Sequence, residues 1–170
     1  MPDEVELRDV APGDMGWVVM EHGRLYARDE GYGPAFEALV ARIAADFLET
    51  ADPLARGWIA WRGGQRIGCV FCMDDGDGWA RLRMFLVLPE ARRTGLAARM
   101  FDGLVDWALA QGQRNLRLWT HESHRAAGRL YARKGMRLVE EKPVEAFGQP
   151  TVEQVWEGDL AALAGGRRGR

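Results

Sequence analysis

Arg92, Arg93 and Gly95 sit in a short basic turn with the makings of an anion site. Two guanidinium groups supply countercharge, and a glycine lets a ligand approach backbone that a side chain would shield. Charge alone does not hold a phosphate; the site also needs unpaired N–H groups. The first amides of a helix have no partner inside the helix and carry partial positive charge. The flanking sequence provides that setting. Leu82 to Leu88 is a continuous apolar run, too short for a core helix and rich enough in Leu, Met, Phe and Val for a strand covered on both faces, and Pro89 ends it. Beyond the turn Leu96, Met100, Leu104 and Ala108 recur every four residues with Ala97, Phe101 and Val105 beside them, one face of an amphipathic helix. Arg81 to Met100 thus predicts a strand, an anion-holding turn and a helix in succession.

Spacing narrows the reading. Arg92-x-x-Gly95-x-Ala97 resembles the Q/R-x-x-G-x-G/A pyrophosphate signature of the GCN5-related N-acetyltransferases, the GNAT family, and Val87-x-Pro89 resembles that family's strand end. Downstream, His124-x-x-Ala127-x-x-Leu130-Tyr131-x-x-x-Gly135-Met136 is similar to the family's N-x-x-A-x-x-L-Y-x-x-x-G-F segment, with His for Asn and Met for Phe. The two segments come in the family's order. Leu138-Val139-Glu140-Glu141 and the stretch from Phe147-Gly148 to Trp156-Glu157 resemble acetyltransferase halves fused to MarR-type regulators, here without a regulator half.

The resemblance implies acetyl-CoA as cofactor and an N-acetyltransferase that moves its acetyl group to a primary amine of a small molecule, amino acid or peptide by direct attack. It implies that the amides of Arg93, Thr94, Gly95, Leu96, Ala97 and Ala98 hold the pyrophosphate, aided by the side chain of Arg92 or Arg93. The backbone of Phe85, Leu86 and Val87 would take the pantetheine arm as an added strand, and His124 stands where an asparagine often contacts that arm. Tyr131 occupies the position of the general acid; a phenol near pKa ~10 can protonate a departing thiolate near ~8.5 without ionising first. The general base stays open among His121, Glu122, Asp29 and Glu30. Tyr26, Asp29, Glu30, Tyr32, Glu122 and Phe147 would line the acceptor pocket, and the acceptor itself is not encoded, because such pockets are built from variable loops. A domain that binds acyl-CoA or regulates a partner without turnover is the alternative, and Tyr131 favours the enzyme.

Composition limits the partners. The 170 residues, 47% of them hydrophobic, suit one domain with a proper core, expected over 1–162, with 163–170 as a disordered basic tail. A net charge of −2 gives no general attraction to nucleic acid or to an anionic membrane. With no long apolar run and no leader pattern, the cytoplasm is the expected location; a homodimer is compatible with such a domain. No metal site is expected. Cys69 and Cys72 spell C-x-x-C, but inside a strand pattern that places them on opposite faces, so two buried free thiols are expected. Asp74 to Gly78 lacks the spaced carboxylates of a calcium loop and reads as a turn.

The elements that would position these residues follow from periodicity and turn signals. A short strand around Val5 and Leu7 precedes a helix from Asp14 to Tyr26, a loop over Asp29 to Gly33, and a second helix opened by Pro34. Gly63-Gly64 joins two strands into a hairpin. After the central strand and helix, Leu116 to Thr120 forms a strand parallel to the central one, and Ser123 to Gly135 bounds another helix. Met136 to Glu140 and Thr151 to Leu160 close the chain as strands. The order is β-α-α-β-β-β-α-β-α-β-β, an α/β fold with a GNAT-like mixed central sheet.

Overall fold

A computed structural model describes residues 4–167. Seven strands form one sheet: β1 Glu6–Asp9, β2 Arg56–Arg62, β3 Gln65–Asp74, β4 Trp79–Val87, β5 Asn115–His121, β6 Arg137–Ala146 and β7 Gln149–Asp159. The helices are α1 Asp14–Glu30, α2 Pro34–Thr50, α3 Leu96–Ala110, α4 Arg125–Lys134 and α5 Leu160–Gly165. The sheet order is β1-β2-β3-β4-β5-β7-β6, antiparallel throughout except for the β4–β5 pair, which is parallel. The expected order of elements stands, with α5 added at its end.

Two apolar layers sandwich the sheet. On one face Leu96, Met100, Phe101, Leu104, Val105 and Ala108 of α3 pack with Leu160 and Leu163 of α5, Tyr131 of α4, and Ala80, Leu82, Leu116 and Leu118 of the sheet. On the other, Met15, Val18 and Leu25 of α1 and Val40 and Ala44 of α2 pack on Ile59, Cys69, Phe71, Met84 and Leu86. Cys69 and Cys72 are buried free thiols in opposite layers, as a period of two requires.

β4 changes allegiance part-way along. Ala80 and Leu82 face the α3 layer, whereas Met84 and Leu86 face the α1–α2 layer. The pairing with β3 shifts between Cys69↔Leu86 and Phe71↔Arg83, so three steps of β4 oppose two of β3, and Met84 takes φ 48° at this bulge. One inserted residue reverses every later side chain in a structure of period two. Phe85 and Val87 consequently turn toward the α3 side. The bulge also bends the strand's end away from β5: the parallel pairing runs only from Trp79↔Asn115 to Arg81↔Arg117.

Three boundaries differ from expectation. α1 runs four residues past Tyr26, because Ala27 to Glu30 are adequate helix formers and Gly31, at φ 70°, closes the helix with its N–H toward Ala27 O and Tyr26 O. Asp29 and Glu30 therefore belong to a helical turn, not a loop. β6 and β7 extend to a two-residue turn at Phe147 and Gly148, both at positive φ, so residues 141–150, which separate the two expected closing strands, are hairpin and not loop. Residues 163–167 are not a disordered tail: Asp159 accepts the Ala162 N–H as an N-cap at 2.8 Å, Leu163 is buried and Arg167 pairs with Asp106. Residues 168–170 of that expected tail lie outside the described residues. No helix among the described residues is long and apolar enough to cross a membrane.

Candidate functional site

Where β4 and β5 part, a cavity of about 690 Å³ opens between the end of β4, the basic turn, the last turn of α1 and the length of α4. The turn is built in steps. Pro89–Ala91 forms a single 3-10 turn, Arg92 is extended, and Arg93 and Gly95 take φ 61° and 84°. Thr94 Oγ1 donates to Ala91 O at 2.7 Å, which fixes the bend. The first amide to enter the helical ladder is Arg99 N, bonded to Gly95 O at 3.0 Å, so the N–H groups of Leu96, Ala97 and Ala98 lie ahead of it, in residues that line the cavity. A Cβ built on Gly95 would meet nothing within 4 Å, so the turn opens onto free space. Arg92 Nε donates to Val87 O at 3.3 Å and its guanidinium lies 3.5 Å from Asp29, tying turn, β4 and α1 together.

Beside the gap is a polar and aromatic cluster. His121 ends β5, and its Nδ1 shares a 2.6 Å hydrogen bond with Tyr32 Oη. His124 Nδ1 is 3.2 Å from Thr120 Oγ1, and its Nε2 is 3.4 Å from Glu30 Oε1, at ion-pair distance but outside hydrogen-bond geometry. Tyr26 meets the His124 ring edge-on at 5.0 Å, and Phe147 from the hairpin tip packs against Tyr32 and Phe36, each at 5.1 Å. Gly33 N donates to Phe147 O at 3.1 Å, which docks the hairpin on the α1–α2 corner.

This burial sets the protonation. Desolvation lowers the pKa of His121, with Glu153 and Glu30 opposing; it also lowers that of His124, with Glu30 opposing and His121 reinforcing. Both imidazoles are therefore neutral at neutral pH and able to accept a proton. Tyr32 is pushed up to about 12 by desolvation and then by Glu30. Tyr131 is driven well above the ordinary phenol range by desolvation, with a contribution from Tyr26. The hydrogen bond from Arg28 holds Asp29 below the usual carboxylate range.

The family model for acetyltransferases of the GNAT family matches residues 20–136. The chain belongs to this family. Its fold is shared with a GNAT acetyltransferase from Staphylococcus aureus Mu50, at 12% identity and TM-score 0.74 over 92% of this chain and 99% of that one. Spermidine N-acetyltransferase from Vibrio cholerae, solved with CoA and spermine, aligns at 15% identity and TM-score 0.73 over 94% and 97% of the two chains. The ribosomal-protein-S18-alanine N-acetyltransferase of Escherichia coli aligns at 14% identity and TM-score 0.71 over 92% and 94%. No curated protein matches the sequence.

In this acetyltransferase the cavity brings together most of the residues singled out by sequence: Phe85, Leu86, Val87, Arg92, Arg93, Gly95, Leu96, Ala97, Ala98, His124, Tyr26, Asp29 and Glu30. Thr94 is exposed on the turn and does not line the cavity, its hydroxyl turned to Ala91. Tyr32 and Phe147 stand outside the cavity in the aromatic cluster. Glu122 is exposed in the turn after β5 and does not line the cavity. Tyr131 is buried behind the wall between Phe101 and Trp156, at ring distances of 6.1 and 6.0 Å, while the preceding Leu130 lines the cavity. Sequence reasoning passed over Arg125, Arg129 and Arg133, which line the cavity along α4. Their i, i+4, i+8 spacing within a helix was the available signal.

Proposed function

We propose that this acyltransferase moves the acetyl group of acetyl-CoA to a primary amine of a small molecule, amino acid or peptide, the amine attacking directly. The observation that carries this reading is one cavity that joins the unpaired end of β4 to the open basic turn. An acyl-CoA needs an extended edge for its amide-bearing arm, N–H groups and cations for its diphosphate, and further cations for its remaining phosphate. Phe85 to Val87, whose β5 side is free, fit the first need. Arg93 to Ala98, flanked by Arg92, fit the second. Arg125, Arg129 and Arg133 on the facing helix fit the third.

When bound, acetyl-CoA supplies the acetyl group activated as a thioester. The chain's own contribution is orientation, polarisation and proton handling. A β4 amide at the gap polarises the acetyl carbonyl. His124 or His121, neutral because buried, takes the amine's proton, with Glu30 beside His124 stabilising the imidazolium that results. Asp29 is the weaker base, since Arg28 and Arg92 both hold it as a carboxylate. Tyr131 keeps its hydroxyl proton throughout the physiological range and gives it to the leaving sulfur. One observation favours the rival reading, acyl-CoA binding without turnover: Tyr131 lies outside the cavity wall.

A thiol-release screen of primary amines with acetyl-CoA, paired with CoA-induced thermal shifts, tests both. Release above the no-amine background with at least one acceptor is expected. A clear CoA shift with no release from any amine leaves the binding-only reading in its place; no shift at all removes both.

A further inference from the structure

The face of the sheet opposite α3 carries a charged strip that the cofactor cavity does not include. Ala80 and Leu82 point to α3, so Trp79, Arg81 and Arg83 of β4 point the other way; Leu116 and Leu118 likewise leave Arg117, Trp119 and His121 of β5 on that same face. α1 and α2 cover β2, β3 and the end of β4 there, but their core takes in no residue of β5, β6 or β7. The strip is thus open sheet. It is also preorganised: the Arg81 guanidinium lies 4.0 Å over the Trp119 ring, and that of Arg117 lies 4.8 Å from Trp79 and 5.7 Å from Trp119. Trp119 remains 39% exposed, one of the few large apolar side chains on the surface.

Carboxylates meet part of this charge: Asp75 binds Arg117 and lies 3.9 Å from Arg81, and β7 brings Glu157 opposite Arg117 in register and Glu153, which also pairs with Lys142 at 3.4 Å. Arg83 has no ion-pair partner among the described residues, and Asp46 and Asp75 act on it only at longer range. Desolvation disfavours the charged forms of Arg81 and Arg83, with Asp75 and Glu153 opposing and Arg117 adding for Arg81, and with Arg81 adding and Asp75 and Asp46 opposing for Arg83; both nonetheless stay protonated. Half-buried guanidinium groups set side by side are costly unless an anion meets them.

We propose that this strip docks an acidic peptide segment, its carboxylates meeting Arg81, Arg83 and Arg117 and its chain running between β4 and β5 toward His121. Arg81 and Arg83 stand two residues apart on β4, the repeat at which an extended peptide presents side chains to one side, and Arg117 lies beside Arg81 on β5. The Trp rings offer flat apolar surface to the aliphatic stems of acidic side chains. A peptide suits half-buried cations better than a nucleic acid does, because flexible carboxylate arms reach in where a stiff phosphate backbone stands off. Docking stands independently of the catalytic reading; that the docked segment belongs to the amine acceptor rests on that reading, since His121 borders the gap between β4 and β5.

The test uses a fluorescein-labelled oligoglutamate of about eight residues, long enough at ~3.3 Å per residue to span the strip. Anisotropy is expected to show saturable binding that weakens with added salt, while oligoserine of equal length does not bind. The Arg81→Gln/Arg83→Gln double variant should lose at least about tenfold in affinity, a change of ~1.4 kcal/mol. Trp119→Ala, which alters no charge, should weaken binding as well, and decides the matter should the double variant not fold. Both variants should keep the CoA-induced thermal shift, which separates failure of this proposal from failure of the cofactor reading. Oligoglutamate affinity unchanged by the substitutions, absence of binding to the wild-type protein, or tighter binding of an oligothymidylate of equal charge would overturn it.

Discussion

Tyr131 is the residue on which catalysis by the chain itself can be judged. Its ring packs between Phe101 and Trp156, and burial keeps its phenol protonated. Tyr131→Phe retains the ring and removes only the proton, so folding and CoA affinity should be preserved. Turnover is expected to fall on the order of 10²-fold to 10⁴-fold, the usual cost of losing a positioned proton donor. Turnover at saturating substrates, set beside a calorimetric CoA titration, reads the result: equal turnover removes Tyr131 as the acid, and lost CoA affinity makes it a binding residue. His124 shows a different side of the residue scale. It brings a titratable ring to within 3.4 Å of Glu30.

At the scale of elements, the turn between β4 and α3 gives the sharpest test. Gly95 adopts φ 84° with open space where a Cβ would stand. Gly95→Ala and Gly95→Glu share the backbone strain, roughly 1 kcal/mol and visible as a lower Tm. Only the glutamate variant puts a carboxylate where a phosphate would lie. CoA is therefore expected to raise the Tm of wild type and Gly95→Ala but not of folded Gly95→Glu. An unchanged CoA shift in Gly95→Glu would take the turn out of the binding site. The β4 bulge at Met84 belongs to this scale too, for it turns Phe85 and Val87 and opens the gap with β5.

For the molecule as a whole, the acid side of the stability profile is governed by histidine burial. His22 lies on α1 with Nδ1 2.7 Å from Val18 O, and burial lowers its pKa to about 4, the Val18 carbonyl opposing. Below the unfolded value of 6.5 the unfolded chain gains a proton that the folded chain refuses, so the stabilisation is complete above 6.5 and is lost as pH falls toward 4. The loss amounts to on the order of 3 kcal/mol, and His121 and His124, also lowered, add to it with the same sign. Urea midpoints measured from about pH 7 to about pH 4 should decline in wild type and decline less steeply in His22→Leu. Parallel profiles would exclude His22 as the main cause.

Local signals in the chain were enough for the strand, turn and helix around Gly95, the element order and the opposed thiols, because backbone period, Gly and Pro placement and helix-end amides act within a few residues. The Asp29–Glu30 stretch was misread as loop because its polarity masked adequate helix propensity up to Gly31. The hairpin at Phe147 is hard to read because its turn places a phenylalanine at positive φ and Pro143 and Pro150 interrupt the strand pattern on either side, and α5 because it is only six residues long behind its Asp159 cap. Only the tertiary structure decided which side chains share the cavity. The bulge that redirects Phe85 and Val87 arises from register against β3, and the arginines of α4 and the carboxylates of α1 meet across the gap although about a hundred residues separate them in sequence. Such juxtapositions are set by packing between remote elements, where a shift of one residue in register moves a side chain to the other face of the sheet.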